Sequence, residues 1–117
     1  MGVTRYKTNR RMSQAVVYSG VLYTAGQVAM DAAGESAQKQ TEAILAQIDS
    51  LLEGAGTDKS RLLSATIWLA DMADFNEMNE VWDEWVAPGD TPARACVEAK
   101  LAAPQFTVEI AVIAAVD

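Results

Sequence analysis

The spacing of apolar residues changes period several times along the chain, and each change marks an element. Val16, Val17 and Tyr18 precede Ser19-Gly20, and Val21, Leu22 and Tyr23 follow it. Two short β-prone runs around a turn dipeptide predict a hairpin from Ser13–Tyr18 and Val21–Ala25. Gly26 ends the second strand, and Asp31-Ala32-Ala33-Gly34 is turn-rich. From Ser36 to Ala55 the period is helical. Ala37, Thr41, Ile44, Ile48, Leu51 and Ala55 recur at three and four, and Leu45 and Leu52 widen that face. Gln38, Lys39, Glu42, Gln47 and Asp49 point away from it, and Gly54 and Gly56 supply stop signals.

Period two returns over Ser60–Ala70, where Leu63, Ala65, Ile67 and Leu69 alternate with Ser64, Thr66 and Trp68. Asp74-Phe75-Asn76-Glu77 has the spacing of a capping box with Asp at the cap. It predicts a second helix to about Val86, with an apolar stripe of Phe75, Met78, Val81, Trp82 and Trp85. Pro88-Gly89-Asp90 breaks that helix. Ala93–Ala99 and Thr107–Val116 read as the last two strands, with Pro104 in the connector. The order β-β-α-β-α-β-β predicts a single α+β domain over residues 1–117, a mixed sheet with two helices on one face. Nothing in the chain supplies a layer for the other face, although Val108–Val116 is almost wholly apolar. A partner subunit is the expected cover, so a homo-oligomer is predicted.

Composition narrows the chemistry. The 117 residues suffice for one domain of ordinary size. There is no histidine and one cysteine, Cys96, which excludes a Ser-His-Asp triad, a histidine zinc site, an intrachain disulfide and a CxxC pair. Sixteen acids against nine bases give a net charge of −7, which opposes general nucleic-acid binding. Four of the nine bases, Arg5, Lys7, Arg10 and Arg11, crowd the first eleven residues. They fit a solubilising edge strand or solvated arm; the sharper alternative is an anion-binding lip. No apolar run approaches a bilayer span, so no membrane role is expected. The polar stretch from Met1 to Arg11 lacks an apolar signal core, and a cytoplasmic protein is expected.

Arg94, Cys96 and Glu98 lie at i, i+2 and i+4 of one predicted strand and share a face. Glu109, in the next predicted strand, can stand near Arg94 across the sheet or at a subunit edge. An arginine holds a carboxylate through two parallel N–H bonds, and a nearby glutamate can position or deprotonate a water. Together they suit hydrolysis of a small carboxylate-bearing molecule without metal or cofactor. The same pattern also describes a buried ion pair that satisfies itself. Cys96 alone reads as a small buried hydrophobe. Glu98 is expected to face solvent or the basic segment, Asn79 to be a polar edge residue, and Trp68, Trp82 and Trp85 to be core or interface.

Pro92-Ala93-Arg94-Ala95-Cys96-Val97-Glu98-Ala99, with Leu101, Pro104 and Val108-Glu109-Ile110 behind it, resembles the RidA/YjgF family of reactive-intermediate (enamine/imine) deaminases. Leu22-Tyr23-Thr24-Ala25-Gly26-Gln27, Thr66-Ile67-Trp68-Leu69-Ala70-Asp71 and Asp74-Phe75-Asn76-Glu77-Met78-Asn79 support the resemblance, which covers nearly the whole chain. It implies a chorismate-mutase-like fold assembled as a homotrimer, with active sites in clefts between subunits. It also implies hydrolysis of small 2-imino or enamine acids to 2-keto acids and ammonium. By position, Arg94 would clamp the substrate carboxylate, Glu109 would orient the attacking water, and Cys96 would line the pocket. Gly26, Phe75 and Asn79 match further cleft positions. Met12 stands near the place of a cleft tyrosine typical of the family, Ala25 where a serine is usual, and Thr91 where an aromatic is common. A non-catalytic module binding small carboxylates in the same cleft, and an endoribonuclease or translation inhibitor, are the alternatives.

Overall fold

In the computed structural model, which describes residues 2–117, the strands are β1 (Thr4–Tyr6), β2 (Ala15–Tyr18), β3 (Val21–Thr24), β4 (Leu62–Leu69), β5 (Ala93–Glu98) and β6 (Val108–Ala115). The helices are α1 (Ala37–Gly54) and α2 (Phe75–Trp85). One six-stranded sheet runs in the order β1-β2-β3-β6-β4-β5. β6 lies antiparallel to both β3 and β4, and β5 runs parallel to β4 after the crossover through α2. The α+β expectation of two helices on a mixed sheet is met, with one strand added at the front: the basic N-terminal segment contributes a three-residue edge strand paired with β2.

The hairpin turns at Ser19 and Gly20, whose φ values of 52° and 78° are both positive. Two left-handed residues give the backbone twist that joins antiparallel strands tightly, and glycine adopts that conformation without steric cost. α1 starts where Ser36 accepts the Lys39 N–H and ends where the Thr57 N–H bonds back to the Leu52 carbonyl, so both ends meet the sequence expectation. The predicted capping box at α2 does not form. Asp74 makes no side-chain cap bond; Asp71 takes the Ala73 N–H instead, and Glu77 reaches across to the Gln38 N–H of α1. Asp74 is left among acids, and burial, then Glu77 and Asp71, push its carboxyl upward.

The core lies between the helices and one sheet face. Ala65, Ile67 and Leu69 of β4 and Val108, Ile110, Val112 and Ala114 of β6 meet Ile44, Leu45, Ile48 and Leu52 of α1 and Met78 of α2. Leu63 was expected to join this row but is half exposed, because a β-bulge between Leu62 and Ser64 shifts the alternation by one residue and turns Leu62 inward. Gln47 and Asp49 do not simply face water either. Gln47 bonds to Gln27 and the Val28 carbonyl, and Asp49 accepts the indole N–H of Trp85. Gln40 is fully buried and wholly satisfied: its amide donates to the Glu35 and Gln105 carbonyls and accepts the Thr107 N–H, tying α1 to the β5–β6 connector.

Register fixes the second face. Glu109 pairs with Trp68, and Trp68 with Val97; Tyr23 pairs with Ile113 and with Val16. Directly opposed residues point the same way, so Val16, Tyr18, Tyr23, Ile113, Ala111, Glu109, Trp68 and Val97 share the uncovered face. Tyr18, Tyr23 and Val97 are close to half exposed there. Among the described residues no helix is long and apolar enough to cross a membrane.

Candidate functional site

β5 is the sheet edge, and Arg94 opposes Ala65, which puts it on the helix-covered side. There α2 presents Asn79 and Trp82 one turn apart. Arg94 Nη1 donates to Asn79 Oδ1 at 2.7 Å, and the guanidinium carbon lies 5.3 Å from the centroid of the Trp82 ring. Arg94 is exposed, and the ion pair found among the described residues joins Arg61 to Asp117, not Arg94 to any acid. The buried Arg–Glu pair is therefore not what this side chain makes. Its charge is uncompensated, and its remaining N–H groups are available at the sheet edge.

Cys96 sits on the same side, half-buried against the core. Burial pushes its thiol above the ordinary range, with Arg94 opposing less strongly, so it is a neutral wall at neutral pH. Glu98 accepts the Met72 N–H at 2.9 Å and holds the turn that enters α2, a structural duty beyond the expected solvent exposure. Phe75, one turn ahead of Asn79, is half-buried and packs on the core.

Glu109 lies elsewhere. It is on the open face of β6, half-buried, and burial pushes its carboxyl above the ordinary glutamate value. Among the described residues no group hydrogen-bonds it. Its carboxyl lies against Gly26: a Cβ added there would stand 2.0 Å from Oε2 and 2.9 Å from Cδ. Only glycine permits that approach. The Gly26 backbone is anchored next door, where Gln27 exchanges both backbone hydrogen bonds with Ile110. The Gln27 amide donates to Gln14 Oε1 and the Ala25 carbonyl and accepts from Gln47. This chain of amides, unremarked in the sequence, braces the Gly26 loop between β2 and α1. A groove beside it is lined by Lys7, Met12, Gly26, Gln27 and Met30, so Met12 and Gly26 do come together.

The structure thus joins Arg94 to Asn79, with Cys96 on the same strand face and Phe75 one turn before Asn79 on α2, and it places Glu109 against Gly26. The expectation that Glu109 stands near Arg94 across the sheet is corrected: β4 runs between β5 and β6, and the two side chains leave opposite faces. Trp82 is in the core, as its place on the apolar stripe of α2 implies, and its ring also lies beside the Arg94 guanidinium. Among the described residues no group of three or more potential ligands is placed to hold a metal ion.

A small mixed sheet with two helices on one face, an arginine at its edge and a glutamate against a glycine on its bare face, defines a YjgF-type α+β protein. A family profile described as Endoribonuclease L-PSP matches residues 3–116. The chain is 48% identical over 115 residues to a RutC family protein of Haemophilus ducreyi, covering 98% of this chain and 97% of that one. It is 42% identical to the RutC family protein YoaB of Escherichia coli, covering 99% and 100%. The crystal structure of NMB1025, a YjgF family member from Neisseria meningitidis, superposes with a TM-score of 0.96 at 48% identity, covering 100% of this chain and 97% of that one. The chain belongs to the RidA/YjgF family, also called RutC or L-PSP.

Proposed function

We propose that the protein hydrolyses small 2-imino acids, or their enamine tautomers, to 2-keto acids and ammonium. The site would be built by two neighbouring copies in a homotrimer, and no cofactor would take part. The observation that carries this reading is the state of the two charged groups. Arg94 is an edge arginine with no carboxylate partner among the described residues, and Glu109 is a half-buried carboxylate with no donor among them. Each lacks what a small anionic substrate and its water would bring. They leave opposite faces of one chain, so a neighbour whose bare face meets the β5 edge would unite Arg94 of one copy with Glu109 of the next. The half-exposed Tyr18, Tyr23 and Val97 support burial of that face.

The chemistry follows from those groups. Arg94 grips the substrate carboxylate edge-on, and Cys96 and Phe75 wall the short side chain. The protonated imine carbon is already electrophilic. Glu109 takes a proton from the attacking water as its oxygen bonds to that carbon, giving a carbinolamine, and returns the proton to nitrogen. The C–N bond then breaks, the hydroxyl proton passes to the departing ammonia, and keto acid and ammonium remain. Positioning of water and substrate supplies most of the acceleration.

The test generates 2-iminobutyrate in situ with an amino-acid dehydratase and follows keto-acid release. The parent protein should accelerate release over buffer, and Arg94→Ala should lose that acceleration about 100-fold, as expected when a charged hydrogen-bond partner is removed. An Arg94→Ala variant as fast as the parent would overturn the reading. Binding of 2-ketobutyrate without turnover would replace it with a non-catalytic carboxylate-binding module.

A further inference from the structure

We propose that Trp82 is a positioning residue of the carboxylate clamp, its indole setting the plane in which Arg94 presents its N–H groups. This rests on the reading of Arg94 as the substrate's anchor. An arginine at an exposed sheet edge has several rotatable bonds and, left alone, samples many orientations. Here two contacts remove that freedom. The hydrogen bond to Asn79 fixes one end of the guanidinium, and the Trp82 ring, its centroid 5.3 Å from the guanidinium carbon, restricts the tilt left to it. With one face on the indole and one N–H on Asn79, the remaining edge is the part left to meet a carboxylate.

The ring that does this is itself packed in. Trp82 is only 5% exposed, and it packs against Trp85 with ring centroids 5.4 Å apart and a 50° tilt. Trp85 is pinned by its indole N–H to Asp49 of α1 at 3.0 Å, and the Lys59 ammonium lies 5.3 Å from its ring centroid. The support therefore runs from α1 through two indoles to the guanidinium. Such a support suits a small planar anion met edge-on by the guanidinium.

The test measures 2-ketobutyrate binding by calorimetry and 2-iminobutyrate turnover in the parent, Trp82→Leu, Trp82→Tyr, Arg94→Ala and the Trp82→Leu/Arg94→Ala double variant. Loss of the π face should raise Kd and KM roughly tenfold, the size of a well-placed cation–π contact, with kcat changed less than about threefold. Trp82→Tyr, which keeps an aromatic face, should recover most of the loss and covers the case in which the leucine variant fails to fold. In the Arg94→Ala background, Trp82→Leu should add nothing, because the group it orients is gone. Equal Kd and KM in parent and Trp82→Leu, with Arg94→Ala inactive, would overturn the role of Trp82 and leave the clamp standing. If Trp82→Tyr is no better than Trp82→Leu, or the two losses add, Trp82 acts only on stability. An Arg94→Ala variant that binds and turns over normally would remove the clamp itself.

Discussion

Replacing Gly26 with alanine adds one methyl group at the closest approach in the site. The new Cβ would lie 2.0 Å from Glu109 Oε2, 2.9 Å from Cδ and 3.2 Å from Cγ. To reach ordinary contact at 3.4 Å the oxygen must retreat by about 1.4 Å, and the whole carboxyl must swing with it. Gly26 is not among the positive-φ residues, so its backbone accepts alanine without strain. The Glu109 side chain is flexible and can move aside. Stability should therefore change by less than about 1 kcal/mol, while under the proposed mechanism the attacking water would be displaced by more than an ångström. A misplacement of that size costs roughly 100-fold in rate, or about 2.7 kcal/mol of barrier. The assay is 2-iminobutyrate hydrolysis with a thermal melt and 2-ketobutyrate binding beside it. Slow turnover with unchanged melting and little-changed binding is expected. A Gly26→Ala variant within about twofold of the parent rate would refute the proposed role of the Glu109 carboxylate in placing the water.

Gln40→Leu should lower stability on the order of 3 kcal/mol, because it leaves the Glu35 carbonyl and the Thr107 N–H without their partner and the Gln105 carbonyl with the Gly34 N–H alone, and the melting temperature should fall by about 10 °C. Because burial raises the Glu109 carboxyl, the acid limb of kcat/KM should lie above pH 4.5, and Glu109→Gln should abolish it together with most turnover. The same shift has a stability sign: the folded chain holds this proton more readily than the unfolded one, so its contribution is full below pH 4.5 and is lost as pH rises through the raised value. Melting curves of Glu109→Gln should lose that slope. Ile113→Lys puts a charge in the middle of the bare face, opposite Tyr23; if that face packs in the proposed trimer, light scattering should report a smaller particle than the parent, with loss of activity and an intact fold.

Much of this was readable from the chain, and the failures have physical causes. The two helices and the five strands after β1 follow from period and turn chemistry, which are local properties. β1 escaped because three residues of mixed polarity carry no period; only pairing with β2 makes them a strand. Leu63 misled because a bulge shifts phase without a marker in composition. Asp74 and Glu77 had capping-box spacing, yet tertiary partners drew Glu77 to α1. The site residues were legible one by one through the Pro92–Ala99 run and Val108-Glu109-Ile110. Their relation was not, since strand order and face depend on register with β4, a strand distant in sequence from both. The Gln14–Gln27–Gln47 amide chain was invisible for the same reason: three polar side chains on separate elements announce nothing until packing joins them.

The proposed site is shared: one copy supplies Arg94 and another supplies Glu109. Subunit complementation tests it most directly. Arg94→Ala and Glu109→Gln chains, each inactive alone, are mixed in equal amounts, unfolded and refolded together, and assayed on 2-iminobutyrate. Random assembly should make about one interface in four carry both native groups, so about a quarter of parental activity should return. A mixture no more active than its two components would contradict a site shared between chains.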